Sequence, residues 1–487
     1  MQKELVEQLM HDAIVLIWMG FIFFAAVFFV CAAIVYLLQN KKIRFDKGLL
    51  FSLSACAVSI MLCLSIWPPV HRVYDDEFTY ISQSTNLLNY GKADILLKGS
   101  LLHPEVSASW AAHSRLPGFA WLEAATLFLT GNFEHSYFIL NIVLGALSVV
   151  IAYRISWLWT ASHIVAWWSA IFLACLPARI VYSMSAASDI AGLFFFLLFL
   201  LFISEYRIQQ IRLILYAAFF SGVYSICIRP PYIIFVIPGI AAALVVNRWG
   251  GWLGRKLCLQ IVLDAICLFL PVLIAIPFMF ISDFIKAGLY APSFVVENFY
   301  ISIAYLFKYE QGTLLTALAA SVAVLRNIFY KSDNMVTGLA GWFLIGLLTI
   351  SALYAGGISY PGSAYSDRYI LSFSFPFVLL AAKGVTDVTR MAKSRLLTRL
   401  LMGLFFTALV ANASFASQRL DVLAKDGAYY KKTLLLKNMA HVIPNDAYLI
   451  EECAALGAAE TSMKSIQTTT FLGGGSSREG CFPEGNI

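Results

Sequence analysis

Three consecutive acids, Asp75-Asp76-Glu77, stand out in a chain that is otherwise strongly apolar. Clustered carboxylates at a membrane surface repel one another and cost solvation, so their presence asks for a use. Three other features share their membrane side. These are Arg115-Leu116-Pro117-Gly118, then Ser188-Asp189 with Arg179 ten residues earlier, and Arg229-Pro230-Pro231-Tyr232. Arg368-Tyr369 opens a late apolar segment on that side as well. Carboxylates and guanidinium groups at one interface suit sugar transfer from a lipid phosphate. The departing phosphate is already anionic, so it needs cations and hydrogen-bond donors rather than a general acid. The incoming hydroxyl is a poor nucleophile and needs a carboxylate base in line with the anomeric carbon.

Each residue also has a plain use when taken alone. Loop acids are solvated, or cap a following helix. The arginines snorkel to lipid headgroups, and Asp189 opens a helix as its N-cap. The functional reading rests on the four features occurring together. His103, His113 and His135 share the first outer loop with the acids, but their spacing fits no metal motif.

Composition says what must position these residues. Of 487 residues, 60% are hydrophobic and 13% charged, which excludes a soluble globule. Apolar segments long enough to cross a bilayer, roughly 20 residues each, recur from end to end. They lie near 14–38, 49–67, 136–156, 162–180, 190–205, 212–228, 231–247, 257–281, 312–325, 336–354, 369–385 and 398–416. The first is too long for the apolar region of a signal peptide and reads as a retained helix.

Basic residues set the orientation. Lys41, Lys42, Arg44 and Lys47, then Arg154, Arg207/Arg212, Arg248/Arg255/Lys256, Arg326/Lys331 and Lys383 to Arg399 fall at alternate connections. Those connections carry only Asp46, Glu205, Asp333 and Asp387 as acids, so they mark the cytoplasm and the triplet faces outward. The net charge of +6 is therefore topology, not a nucleic-acid footprint. The expected architecture is an all-α polytopic membrane protein of about twelve spans over residues 1–416. It has a large first extracytoplasmic loop at 68–135 and a small α/β tail at 417–487. Within that loop, an amphipathic stretch covers Tyr80 to Leu88. The apolar piece from Pro117 to Leu129 is too short to span and lies along the interface or re-enters it.

Seven cysteines (Cys31, Cys56, Cys63, Cys175, Cys227, Cys258 and Cys267) fall in apolar helices and read as small buried hydrophobes. Cys453 and Cys481 lie in the tail, which this topology puts in an oxidising compartment, and they are predicted to pair. Asp264 lies inside an apolar segment, where an interhelical hydrogen bond and a functional role are equally open.

The order of these elements resembles the GT-C membrane glycosyltransferases. Within them it resembles the branch of protein O-mannosyltransferases and lipid A aminoarabinose transferases. The branch's Asp-Glu-x-x-Tyr is matched by Asp76-Glu77-Phe78-Thr79-Tyr80, followed by Asn89-Tyr90-Gly91. Its basic-Pro-Pro segment before an interfacial helix corresponds to Arg115-Leu116-Pro117-Gly118, ending at Leu129-Thr130-Gly131. A helix from Asn141 to Arg154, then Asp189, Arg229 and Arg368-Tyr369, complete the order, over residues 50 to 385 or so.

The resemblance implies a polyprenyl-phosphate sugar donor and a lipid, glycan or protein acceptor. It makes Asp76 the catalytic carboxylate, with Glu77 and Asp189 beside it and Arg115 and Arg229 on donor phosphate. Asp75, Tyr80, Arg179, Arg368 and Tyr369 complete the candidate substrate-binding set. The charge topology faces the site outward, and the expected compartment is a bacterial inner membrane. A divalent cation is left open, since some relatives use one and others do not. The chain departs from the pattern in having Leu116-Pro117 for the double proline, an additional first helix and a short tail. Two other readings stand beside this one: a flippase for a lipid-linked saccharide, and a polymerase or ligase using a pyrophosphate-linked donor.

Overall fold

The computed structural model describes residues 20–38, 47–71, 74–91, 95–99, 109–111, 118–131, 136–246, 312–330, 333–353, 371–391, 394–426, 448–451 and 464–467, with isolated positions between 266 and 307. Helix α1 covers Gly20–Leu38. Then come α2 (Lys47–Leu64), α3 (Tyr74–Tyr90), strands β1 (Ile95–Gly99) and β2 (Ser109–Ala111), α4 (Gly118–Thr130) and α5 (Ser136–Thr160). The central run is α6 (His163–Ala174), α7 (Pro177–Ser183), α8 (Asp189–Gln209), α9 (Arg212–Ile228), a 3-10 turn at Pro230–Tyr232 and α10 (Ile233–Val246). The chain closes with α11 (Leu314–Tyr330), α12 (Asn334–Leu353), a 3-10 turn at Leu371–Phe373, α13 (Ser374–Met391), α14 (Arg395–Asp426), β3 (Tyr448–Glu451) and β4 (Lys464–Gln467).

Among the described residues, five helical stretches are long and apolar enough to cross a membrane: Gly20–Leu38, Ser136–Thr160, Asp189–Gln209, Leu371–Met391 and Leu396–Lys425. The bent pair α6–α7 makes a sixth, and six shorter apolar helices surround them. The protein is integral to a membrane. Its middle is formed by α8 and α13, whose apolar windows are 78% and 89% buried, whereas α1 and α14 are 22% and 28% buried and line the outside. Exposed Phe24, Phe28 and Leu404 on those outer helices meet acyl chains at no cost, because lipid is as apolar as the side chains.

The expected span at 162–180 is two helices meeting at 59°. Ser162 caps the first by accepting from the Val165 amide. Pro177, at the start of the second, has no N–H to continue the ladder and forces the break. The final span runs to Asp426, so the boundary expected at 416/417 falls within α14. The acid triplet lies in the first turn of α3 rather than in a loop before a helix starting at Tyr80. The span expected at 257–281, Asp264, Arg115, Arg368, Tyr369, Cys258, Cys267, Cys453 and Cys481 lie outside the described residues, and so do the side chains of Asp75 and Asp76. Of the helical cysteines, Cys63, Cys175 and Cys227 are buried and Cys56 partly so, but Cys31 is exposed on α1.

A four-stranded sheet of order β2-β1-β4-β3 joins the first loop to the tail. The β1–β2 pair is antiparallel, with a bulge between Leu96 and Lys98. β4 adds antiparallel to β1, and β3 runs parallel to β4. The tail strands thus extend a sheet begun by the loop that follows α3.

Candidate active site

The hub of the site is a short connection, Met184 to Ser188, that ends α7 and presents Asp189 at the start of α8. Such a loop has backbone groups to satisfy, and three elements satisfy them. Asn141 on α5 donates from Nδ2 to the carbonyls of Ser185 (2.7 Å) and Ala187 (2.8 Å). Glu77 on α3 accepts from the Ala186 amide (3.1 Å) and from Ser185 Oγ (3.1 Å). The Val70 amide donates to the Met184 carbonyl at 3.2 Å. Ser188 Oγ donates to Tyr80 Oη at 3.3 Å, and the Tyr80 ring meets Phe119 edge-on at 5.2 Å.

Glu77 is fully buried and its Oε2 lies 2.7 Å from His71 Nδ1. A buried carboxylate is tolerable only with such partners. The consequence is geometric: the first turn of α3, which bears Asp75 and Asp76, is fixed relative to Asp189 through one side chain. The sequence reading placed Glu77 beside the catalytic carboxylate but did not single out His71, which has no spacing signal.

Asp189 pairs with Arg229, which lies at the end of α9 before the Pro230–Tyr232 turn. The pair is nearly enclosed, at 2% and 12% side-chain exposure. Gly192 makes room for it. A Cβ at Gly192 would stand 2.8 Å from Arg229 Cγ and 3.0 Å from Tyr232 Cε2, so the arginine stem lies directly on the helix backbone. Tyr232 stacks on Phe196 at 4.7 Å and hydrogen-bonds Ser372 in the turn that precedes α13.

Gly118 supplies a second close approach. A Cβ there would fall 2.6 Å from the backbone of Cys227, and Tyr224 Oη donates to the Gly118 carbonyl at 2.7 Å. Gly118 follows the Leu116-Pro117 that stands in this chain for the branch's double proline. The structural reason for the glycine is that α4 begins pressed onto α9, two residues from Arg229.

The described residues of the expected set therefore divide. Glu77, Tyr80, Asp189 and Arg229 come together around the Met184–Ser188 connection. Arg179 does not join them: it is wholly buried and donates to Ser59 Oγ (2.7 Å), the Ala174 carbonyl (3.0 Å) and Cys63 Sγ (3.8 Å). It satisfies the carbonyl freed by the α6–α7 break and ties that break to α2, rather than snorkelling to headgroups.

One acid escaped the sequence reading. Glu123 on α4 is fully buried, and among the described residues neither of its oxygens has a hydrogen-bond partner. Burial first, and then the Glu77 charge, push its pKa well above the usual carboxylate range, favouring the protonated form. A lone acid inside the apolar run Gly118–Thr130 was the available signal. Among the described residues no three of His, Cys, Asp and Glu are grouped to hold a metal ion, and Glu77 and Asp189 are already engaged by His71 and Arg229.

The comparisons agree with this architecture. The family model of dolichyl-phosphate-mannose-protein mannosyltransferases matches residues 112–275, the stretch containing α4, Asp189 and Arg229. No curated protein matches the sequence significantly. ArnT from Cupriavidus metallidurans in the apo state superposes with a TM-score of 0.56 at 12% identity, over 85% of each chain. The same protein bound to undecaprenyl phosphate gives 0.53 at 13% identity, again over 85% of each chain. The Archaeoglobus fulgidus oligosaccharyltransferase gives 0.49 at 10% identity over 87% of this chain, which spans 65% of that protein's length. Over residues 112–275 the chain is similar in sequence to the dolichyl-phosphate-mannose-protein mannosyltransferases, and over most of its length it shares the fold of ArnT.

Proposed function

We propose that the protein is an inverting glycosyltransferase that takes a sugar from a polyprenyl-phosphate donor and passes it to an acceptor outside the cytoplasmic membrane. The observation that carries the reading is the rigid linkage of the α3 acid turn to the Asp189–Arg229 pair through Glu77 and the Met184–Ser188 connection. It holds carboxylates and a guanidinium at one end of an apolar bundle, as transfer from a lipid phosphate requires. The binding of undecaprenyl phosphate by a structural relative supports the donor class.

In this mechanism Asp76 takes the proton of the acceptor hydroxyl as its oxygen bonds to the anomeric carbon. The bond from that carbon to the phosphate oxygen breaks on the opposite face, and its electron pair leaves with polyprenyl phosphate. Arg229, together with Arg115, balances the charge that gathers on the phosphate. Asp189 orients Arg229. Glu77 and Tyr80 hold the turn that carries Asp76, and Arg368-Tyr369 contributes to substrate binding. Arg179 is assigned to the fold.

The test compares glycans and lipid-linked sugars by mass spectrometry in intact, gene-deleted and Asp76→Asn strains. Loss of one glycoform in both mutants, with accumulation of its polyprenyl-phosphate sugar, is expected. Removing a general base typically lowers the rate about 10²–10⁴-fold. An Asn variant that keeps more than about a tenth of the activity sinks the base assignment. A glycan change on deletion but not in the Asn strain favours a flippase.

A further inference from the structure

At the end of the bundle away from Asp189, the structure holds a second polar site that transfer does not use. The turn at Leu371–Phe373 touches Tyr232 through Ser372, and α13 then runs 18 residues, about 27 Å at helical rise. Where it ends, a cavity of about 180 Å³ opens between α11, α12 and α13, lined by Arg326, Asn327, Asp333, Lys383, Asp387 and Arg390 among others.

Its walls are braced in advance. Arg326 pairs with Asp387 at 2.5 Å and Lys383 with Asp333 at 2.7 Å. Asn327 Oδ1 accepts from the Asp333 amide at 2.9 Å while its Nδ2 donates to Thr337 Oγ1 at 2.7 Å. Asp333 Oδ1 also accepts from the Met335 amide at 3.0 Å. Partial burial works against ionisation of Asp333, but Lys383 and the first amides of α12 outweigh it and hold the carboxyl below its usual range. Three cations therefore face two carboxylates and leave one positive charge in excess. Arg390 supplies it: among the described residues it has no ion-pair partner. The cavity rim is apolar on the lipid side, where Leu325, Ile328, Phe329 and Tyr330 of α11 and Val388 and Met391 of α13 are exposed.

We propose that this cavity binds the phosphodiester of an anionic phospholipid headgroup, with Arg390 as its principal contact and the acyl chains along the exposed faces of α11 and α13. A single negative charge neutralises the excess, and the volume suits a phosphodiester and a few waters. Basic recesses between helix ends are the places where such headgroups are held at the cytoplasmic leaflet, and the positive connections at Arg326/Lys331 and Lys383 to Arg399 put this end there. The site does not depend on the proposed transfer.

The test is thermal unfolding of the purified full-length protein in neutral detergent, with short-chain phosphatidylglycerol, phosphatidylcholine or inorganic phosphate added. Phosphatidylglycerol should raise the midpoint and phosphatidylcholine should not. Arg390→Gln should weaken the phosphatidylglycerol response roughly tenfold in concentration, the worth of one charged hydrogen bond, while Arg390→Lys keeps most of it. Arg390 is exposed at a helix end, so both variants should unfold like wild type without lipid. An equal response in Arg390→Gln, or none in wild type, overturns the site. A shift by inorganic phosphate equal to that by phosphatidylglycerol overturns the lipid in favour of a soluble anion.

Discussion

Gly192→Ala tests whether transfer needs Arg229 where the structure puts it. Gly192 follows Asp189 by three residues, on the same face of α8. An added methyl would lie 2.8 Å from Arg229 Cγ, 3.2 Å from its Cβ and 3.0 Å from the Tyr232 ring. Non-bonded carbons prefer about 3.5–4.0 Å, so the arginine stem must retreat by about 0.7 Å or more. Tyr232 cannot yield easily, because Phe196 stacks behind it. Crowding of this kind costs about 1–3 kcal/mol, offset by up to about 1 kcal/mol that alanine gains over glycine within a helix. The net loss of stability should be at most about 2 kcal/mol once that offset is made, small enough to leave folded protein in the membrane.

Transfer should suffer more. A misplacement of about 1 Å in a positioning group lowers rates about 100-fold. The assay is complementation of the deleted strain, read as the restored glycoform per amount of membrane-inserted protein, with the thermal midpoint measured in parallel. Gly341→Ala on α12 is the control, since nothing lies within 4 Å of its added methyl; it should transfer normally. A Gly192→Ala protein with wild-type transfer would refute the argument that Arg229, held on the α8 backbone, contacts the leaving phosphate.

Two further outcomes follow from the buried acids. Glu77→Gln removes the charge that His71, Ser185 and the Ala186 amide surround, and should lower stability by about 3 kcal/mol, as breaking a buried charged network does. Transfer per folded molecule should fall with it, and a stable, active Gln variant would show that Glu77 does not fix the acid turn. Glu123 sets a pH dependence. Its folded pKa is raised, so above the unfolded pKa the native state binds the extra proton and stability falls as pH rises towards the folded value. Glu123→Gln should flatten that slope of unfolding midpoint against pH and leave the neutral-pH midpoint equal or higher; an unchanged slope would rule Glu123 out as its source.

Periodic and compositional signals reached the spans because crossing a bilayer imposes length and apolarity on each one separately. Arg212–Ile228 matches the expected 212–228 for that reason. The break at Pro177 was visible as a proline inside an apolar run, yet nothing local says whether such a proline kinks a helix or splits it. Here the splitting depends on Arg179 reaching the Ala174 carbonyl from the next helix. Arg179 itself was misassigned to substrate for the same reason: an arginine near an interface looks alike in sequence whether it meets lipid, phosphate or a backbone carbonyl. Asp189 and Arg229 were legible separately as helix-end charges. Their pairing depends on Gly192, which reads in sequence as one more small residue in an apolar helix.

The hardest element to read was α3, and the reason bears on the site. Ser82, Gln83, Ser84, Thr85 and Asn86 are consecutive and all buried, so no face of the helix is left for water and an amphipathic reading of Tyr80 to Leu88 fails. A helix that is polar all round and enclosed all round is stable only if its neighbours answer its polar groups. The neighbours here include α5 and the Met184–Ser188 connection: Tyr137 answers Ser84 and Thr85, and the Ser185 hydroxyl answers Glu77. Glu77 and Tyr80 belong to the same helix. The acid turn is therefore presented by a polar interior rather than hung in solvent, and a substitution two turns along α3 should reach the chemistry by the same contacts that hold the helix in place.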